Sequence, residues 1–257
     1  MDTSPVGIFD SGVGGLSVFS ELARAVPNRH YIYFGDSKNL PYGTKSQDEI
    51  IAFGKNIVRF FISKGVEDVV IACNTSSALS YEALLSEFGP KVKIHPLIQT
   101  VAKDLAKYSS VGVLATQGTA NSLKYTQEII KNNPKARVAE VGCTGFVEIV
   151  ENRLYEDIKS IELVKNKVVP LLEEGVEKIV LGCTHYPYLM PILEKFAPSD
   201  MFIDPAVLFC RRIEEEFSRN ELKSENRPKR EFYVSASPEK FVESAKVFYD
   251  VEKAVLV

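Results

Sequence analysis

Apolar and polar positions follow one recurring rhythm along this chain: a short apolar run, a polar loop, then apolar residues at helical spacing. Residues 6–9 are an apolar run that stops at Asp10 and opens into Gly12, Gly14 and Gly15, and residues 16–25 carry the helical spacing. Residues 31–34 read as a second strand, followed by a long polar loop through Pro41, Tyr42 and Gly43. Ser46 with Glu49 three residues on has the capping-box pattern, which opens a helix that should stop near Gly65. Residues 66–72 read as a third strand. Thr75, Ser76 and Ser77 offer N-caps for a helix over 78–88, which Gly89 and Pro90 should end. An extended stretch over 92–98 and a helix over 99–107 complete the first half.

The second half repeats the rhythm, with strands expected at 111–115, 137–141 and 176–182 and helices at 120–131, 146–153 and 157–174. Pro170 should kink the last of these. After residues 201–204 comes a helix ending at Phe217, then a polar linker over 218–230 and a strand at 232–235, and Pro238 is well placed as the first residue of a final helix. Strands alternating with helices predict an α/β protein with parallel sheets covered on both faces.

Two pairs of segments match across the halves. Gly65, Val66, Glu67, Val70 and Cys73 recur as Gly175, Val176, Glu177, Val180 and Cys183, an offset of 110. Val6-Gly7-Ile8 and Val111-Gly112-Val113 open alike at an offset of 105. Two matches in the same order at similar offsets predict two pseudo-symmetric lobes, each a mostly parallel sheet flanked by helices, with the site between them. The first lobe is expected over 1–98 plus 209–257 and the second over 99–208, because the tail lies beyond the duplication and should return to the first.

Composition narrows the function. The 257 residues carry a net charge of −3 with no long run of one sign, which argues against nucleic acid as the main partner. Arg227-Pro228-Lys229-Arg230 is basic but short and reads as a solvated linker. No apolar run reaches membrane-spanning length and the N-terminus has no secretory pattern, so a cytoplasmic protein is expected. Thiols stay reduced there, and the four cysteines need a reading other than disulfides.

In parallel α/β sheets ligands bind beyond the carboxyl ends of the strands. Four such loops carry suggestive residues: Asp10-Ser11, Cys73-Asn74-Thr75, Thr116-Gln117-Gly118-Thr119 and Cys183-Thr184-His185. Helix starts with hydroxyl donors suit carboxylates. A cysteine before a helix is expected to have a lowered pKa, so each thiol can serve as base or acid. His185 lies two residues past Cys183, where it can orient or share its proton, and Asp10 can assist the other thiol. Cys210 and Cys143 read as structural. His30 and His95 read as packing or surface residues without acidic neighbours at useful spacing. Asp36 reads equally well as an ordinary loop residue.

Other motif readings fare worse. The loop Gly12-Val13-Gly14-Gly15-Leu16-Ser17 resembles a dinucleotide fingerprint, with Asp36 as the ribose-binding acid. Its third glycine position is Ser17, however, and Asp10 would face a pyrophosphate. Zinc on Cys73, Cys143, Cys183 and His185 lacks ligand spacing, so no metal is expected. A Cys-His hydrolase leaves one duplicated thiol without a role, and a binding protein leaves both unexplained.

These residues resemble the bacterial glutamate racemases of the aspartate/glutamate racemase superfamily. The resemblance is carried by the segments Gly7 to Val18, Asp36-Ser37 with Pro41-Tyr42-Gly43, Ala72-Cys73-Asn74-Thr75 and Gly182-Cys183-Thr184-His185-Tyr186-Pro187. It implies a cofactor-independent racemase interconverting L- and D-glutamate for peptidoglycan synthesis, often as a homodimer. It implies that Cys73 deprotonates D-glutamate and Cys183 L-glutamate, with Asp10, His185 and Glu151 assisting. Implied substrate contacts are Asp10, Ser11, Tyr42, Gly43, Asn74, Thr75, Thr116, Thr119, Thr184 and His185. The sequence departs from the pattern at Ser76, where alanine is more usual, and at Cys143-Thr144, where Cys-Pro is typical. No N-terminal extension of the kind that accompanies activator control in some members precedes the first strand, so such control is not expected. No lysine stands in a recognisable pyridoxal site. The rival readings are an aspartate racemase and a non-catalytic dicarboxylate-binding protein.

Overall fold

The computed structural model describes residues 4–218 and 228–257, which form two sheets in which every strand pair is parallel. The strands in chain order are β1 (Val6–Asp10), β2 (Tyr31–Gly35), β3 (Asp68–Ile71), β4 (Lys93–Pro96), β5 (Ser110–Ala115), β6 (Arg137–Gly142), β7 (Lys178–Gly182), β8 (Phe202–Ile203), β9 (Arg230–Val234) and β10 (Val255–Leu256). One sheet runs β10-β9-β2-β1-β3-β4 and the other β6-β5-β7-β8.

The duplication read from the sequence reappears in the register. The strand order β2-β1-β3-β4 is matched by β6-β5-β7-β8. Val6 faces Asp68 and Ile8 faces Val70 across β1 and β3, just as Val111 faces Lys178 and Val113 faces Val180 across β5 and β7. In each sheet the chain leaves its first strand in opposite directions to reach the next two. The carboxyl ends of β1/β3 and β5/β7 are therefore the switch points at which α/β sheets bind ligands.

The period of two along each strand divides the first sheet between two apolar layers. Ile8 points into a large core that also takes in Val111, Val113 and Val180 of the second sheet, and Phe9 points into a smaller core with Ile57, Phe61 and Phe88. Helices Leu16–Ala25, Leu97–Leu105 and Pro205–Ser218 pack on one another in the large core, and helix Lys124–Asn132 packs on Leu97–Leu105. The expected boundary near residue 208 falls inside helix Pro205–Ser218. β9 and β10 extend the sheet of β1, alongside β2. No described helix is long and apolar enough to cross a membrane.

Local signals placed several helix ends well. Ser46 and Glu49 form the full capping box of helix Gln47–Ser63, and Pro238 begins helix Pro238–Ala245. Elsewhere tertiary contacts prevail. The helix expected over 78–88 begins earlier, as Asn74–Leu79 with Cys73 at its N-cap, and Tyr81–Phe88 follows after a break at Ser80. The helix expected over 120–131 is two, Gln117–Ser122 and Lys124–Asn132, separated by Leu123 at φ 52. β10 has no sequence counterpart in the expectations. Residues 219–227 of the expected polar linker lie outside the described residues.

Phe19, on helix Leu16–Ala25, joins the C-terminal segment to the first sheet. Its ring centroid lies 5.7 Å from Tyr31, 5.1 Å from Phe232 and 4.9 Å from Tyr249. It is fully buried, so Phe19→Ala leaves a cavity where three elements meet. The expected cost is about 3–5 kcal/mol of stability, read from urea unfolding followed by circular dichroism.

Candidate active site

One cleft with about 740 Å³ of empty space lies where the carboxyl ends of the two sheets meet. Cys73, two residues beyond β3, and Cys183, directly after β7, both line it. Ser11, Tyr42, Gly43, Asn74, Thr75, Thr116, Thr184 and His185 line it as well. Three of the residues expected at the site stand behind its wall: Asp10, Thr119 and Glu151 reach the cleft through neighbours.

The lobes touch where glycine allows. A Cβ on Gly14 would sit 2.4 Å from Thr184 Oγ1 and 2.5 Å from His185 Nδ1, a separation no side chain tolerates. The glycine-rich loop after β1 thus serves close approach between the halves. On the other rim, a Cβ on Gly43 would lie 2.9 Å from Thr116 Cβ.

Each thiol has its own surroundings. Cys73 Sγ lies 3.9 Å from Ser11 Oγ. Cys183 Sγ lies 4.0 Å from His185 Nδ1, while His185 Nε2 is 3.2 Å from Glu151 Oε1. Glu151, His185 and Cys183 therefore lie in one row of contacts, and the His185 partnership holds the Glu151 carboxyl below its ordinary pKa. Asp10 is fully buried. Its Oδ1 accepts from Gly12 N at 2.9 Å and its Oδ2 accepts from the Thr184 hydroxyl at 3.3 Å. It hydrogen-bonds to the second lobe rather than to Cys73. Burial raises its pKa, opposed first by the charge of His185.

The hydroxyls of Thr75, Thr116 and Thr119 form a triangle across the lobes, with separations of 3.0, 3.0 and 3.2 Å. Tyr125 donates to Asn74 Oδ1 at 2.7 Å, which fixes the amide from the other lobe. Asp36 is no ordinary loop residue: it is buried and accepts from Tyr42 Oη, Asn39 Nδ2 and Ser235 Oγ, anchoring the rim that carries Tyr42 and Gly43. The Tyr42 hydroxyl is pushed far above its ordinary pKa, by burial first and then by Asp36, and stays a donor.

The expected acidification of the thiols is overturned. Burial pushes Cys73 up to about 11, with the Asp10 charge acting in the same direction, and pushes Cys183 higher still. Backbone N–H groups of Ser76 and Ser11 onto Cys73, and of His185 onto Cys183, oppose this without reversing it.

Sequence reasoning placed the loop of Gln117 at the site but missed Thr144, Gly145 and Glu148, all of which line the cleft. Thr144 follows the end of β6, so the strand-end rule that singled out the other loops would have found it. Cys143 also borders the cleft, although its thiol donates to Val141 O at 3.3 Å. Cys210 packs in the large core, as its structural reading expects.

His95 is buried edge-on to Phe217, as its packing reading expects, but it does have acidic neighbours. Pairing of β3 with β4 brings its Nε2 to 2.9 Å from Asp68 Oδ1, and Glu216 Oε1 lies 4.0 Å away. Sequence separation hid both carboxylates. These three residues are the metal-capable group among the described residues, and Arg29 and Lys93 already neutralise its carboxylates. His30 Nδ1 accepts from Lys229 N, a backbone tie.

The sequence pattern of Asp/Glu/hydantoin racemases matches residues 6–213. The chain belongs to the Asp/Glu/hydantoin racemase family. As a member of this family it is an amino-acid racemase, an isomerase. It is 40% identical to the glutamate racemase of Trichodesmium erythraeum over 241 residues, covering 93% of this chain and 88% of that one. It is 42% identical to the glutamate racemase of Gloeothece citriformis over 242 residues, covering 93% and 86%. Its fold matches the crystal structure of Francisella tularensis glutamate racemase in complex with D-glutamate at a TM-score of 0.90 and 31% identity, covering 100% of this chain and 98% of that one.

For this racemase the Gly14 contact predicts a sharp functional effect. Gly14→Ala must push Thr184 and His185 off their positions, and a displacement of about 1 Å costs on the order of 100-fold in rate. Racemisation followed by circular dichroism should fall by that factor, with the far-ultraviolet spectrum unchanged.

Proposed function

We propose that the protein interconverts L- and D-glutamate by proton transfer between two thiols, with no added cofactor. The carrying observation is that Cys73 and Cys183, at the ends of symmetry-related strands, open onto one cleft. A racemase must take a proton from one face of the α-carbon and return one to the other, and two bases from two lobes meet that demand directly. Cys73 is the base toward D-glutamate and Cys183 the base toward L-glutamate. The relative holding D-glutamate supports glutamate as the substrate.

In the reaction one thiolate takes the α-hydrogen as a proton, and the C–H pair becomes the carbanion lone pair. The opposite S–H then delivers its proton to the other face, so the thiolate charge has changed sides when product leaves. Donors aimed at the substrate carboxylates offset the developing charge. Ser11, Thr75, Thr116, Thr184 and the Asn74 amide are the available groups, with the Gly43 backbone at the rim. Thr119 holds the other threonines and Asp10 holds Thr184. Glu151 orients His185, which exchanges a proton with Cys183. Closure of the two halves on substrate would exclude water from the cleft. The D-glutamate formed would supply peptidoglycan synthesis in the cytoplasm.

Burial leaves both sulfurs protonated in the empty cleft at neutral pH. A zwitterionic substrate changes this, because its ammonium group enters beside them and favours a thiolate. Incubation with L-glutamate in deuterated water should yield D-glutamate with deuterium at the α-carbon. Cys73→Ala and Cys183→Ala should each abolish interconversion with the fold intact. Wild-type turnover in either variant would refute the two-thiol scheme. Deuterium entering only L-aspartate would move the substrate to the shorter acid, and exchange into neither would leave a binding protein.

The raised thiols also fix a pH dependence. A base with its free-enzyme pKa near 11 is ionised in a fraction that grows about tenfold per pH unit well below that value. From about pH 6.5 to about pH 8.5, kcat/KM should therefore climb steeply. The limb for kcat, which reports the bound state, should lie at lower pH.

A further inference from the structure

We propose that Ser76 is a hydroxyl donor to the Cys73 sulfur, turning onto it when Cys73 ionises and holding it in that form. The inference rests on the reading of Cys73 as a base and names a positioning residue for it.

The argument starts from helix geometry. Cys73 is the N-cap of helix Asn74–Leu79, so Ser76 is its third helical residue. At that spacing the side chain and N–H of the third residue both face the N-cap side chain. The same chain realises this geometry elsewhere. Ser160 directs its N–H and hydroxyl onto Asp157 Oδ2, at 2.8 and 3.0 Å. Thr119 directs its N–H onto Thr116 Oγ1 at 3.3 Å, with the two hydroxyls 3.0 Å apart.

Ser76 differs in that its hydroxyl is buried and has no aligned hydrogen-bond partner among the described residues. Its neighbours are committed: Thr75 to Thr116 and Thr119, Ser77 to Gln99, and Ser80 to the Ser76 carbonyl. A buried donor without a partner needs a reason. A neutral thiol is a poor acceptor, whereas a thiolate is a strong one, so the partner forms only on ionisation. The hydroxyl is already near enough to favour the charged sulfur, as is the Ser76 N–H, against burial and the Asp10 charge, but it is not aligned for a hydrogen bond to the neutral thiol. The other titratable groups that feel the Cys73 charge are Cys183, Tyr33 and Tyr42, and Ser76 is among the partners of none of them.

The test reads the Cys73 thiolate directly, without substrate. Alkylation by iodoacetamide is followed against pH by peptide mass spectrometry in the wild type, Ser76→Ala and Ser76→Thr, with Cys183 alkylation as the internal control. Ser76→Ala should shift the Cys73 midpoint up by about one pH unit, which slows alkylation about tenfold at neutral pH. Ser76→Thr, which keeps the hydroxyl, should restore the wild-type midpoint, and Cys183 should not move. Should Ser76→Ala fail to fold, Ser76→Gly gives the same comparison. An unchanged Cys73 midpoint in the folded donor-less variant, or equal shifts at Cys73 and Cys183, overturns the proposal. Racemisation that survives Cys73→Ala would instead remove the base assignment, a separate result from a separate measurement.

Discussion

The loop after β1 lies against the segment after β7 so closely that only glycine fits at Gly14, with Thr184 and His185 on the far side of the contact. This approach converts two similar α/β units into one site. Without it, each sheet would present its own strand-end crevice to solvent, with one thiol apiece. With it, Asp10 of the first sheet accepts from Thr184 of the second, and the residues flanking Cys183 take their positions from both lobes. The Gly43–Thr116 contact and the threonine triangle close the opposite rim in the same manner. Lobe-to-lobe hydrogen bonds shape the cleft, and the apolar cores supply most of the stability.

That closeness has an electrostatic consequence. Excluding water from the strand ends raises both thiols, because a sulfur anion loses more hydration than the few local N–H groups return. A resting site with neutral thiols is also shielded against stray alkylation and oxidation, which need the thiolate. In the proposed reaction the substrate supplies the missing positive charge, and ionisation is thereby coupled to binding. A dry cleft strengthens every donor aimed at the carboxylates as well. Burial therefore opposes ionisation in the empty enzyme and favours charge stabilisation in the occupied one.

Most of the architecture was legible because it is local or periodic. The apolar runs placed the strands, and the matching offsets of 105 and 110 anticipated the shared register of β1/β3 and β5/β7. The capping box at Ser46 was legible because both partners lie within four residues. What failed depends on distant contacts. Leu123 adopts a left-handed conformation between two helices that local propensity would have fused. Cys73 caps its helix in preference to the hydroxyl residues after it, two of which, Thr75 and Ser77, are drawn to Thr116, Thr119 and Gln99 in other elements. The thiol pKa was misjudged for the same reason, since a helix start can be read locally and burial cannot. Asp36 and His95 each gained partners more than 25 residues away.

The symmetry of the frame stops at the side chains. Cys73 and Cys183 occupy equivalent strand ends, yet one faces Ser11 and the other faces His185 backed by Glu151. A reaction between mirror images has an equilibrium constant of one, so neither direction may be favoured overall. In the proposed two-thiol reaction kcat/KM must then be equal in the two directions, whatever the relative energies of the two thiolates. Cys73 has hydroxyl and N–H groups beside it, whereas Cys183 has a histidine–carboxylate pair. The symmetry of the frame thus ends at the strand ends, and the surroundings of the two thiols differ in kind.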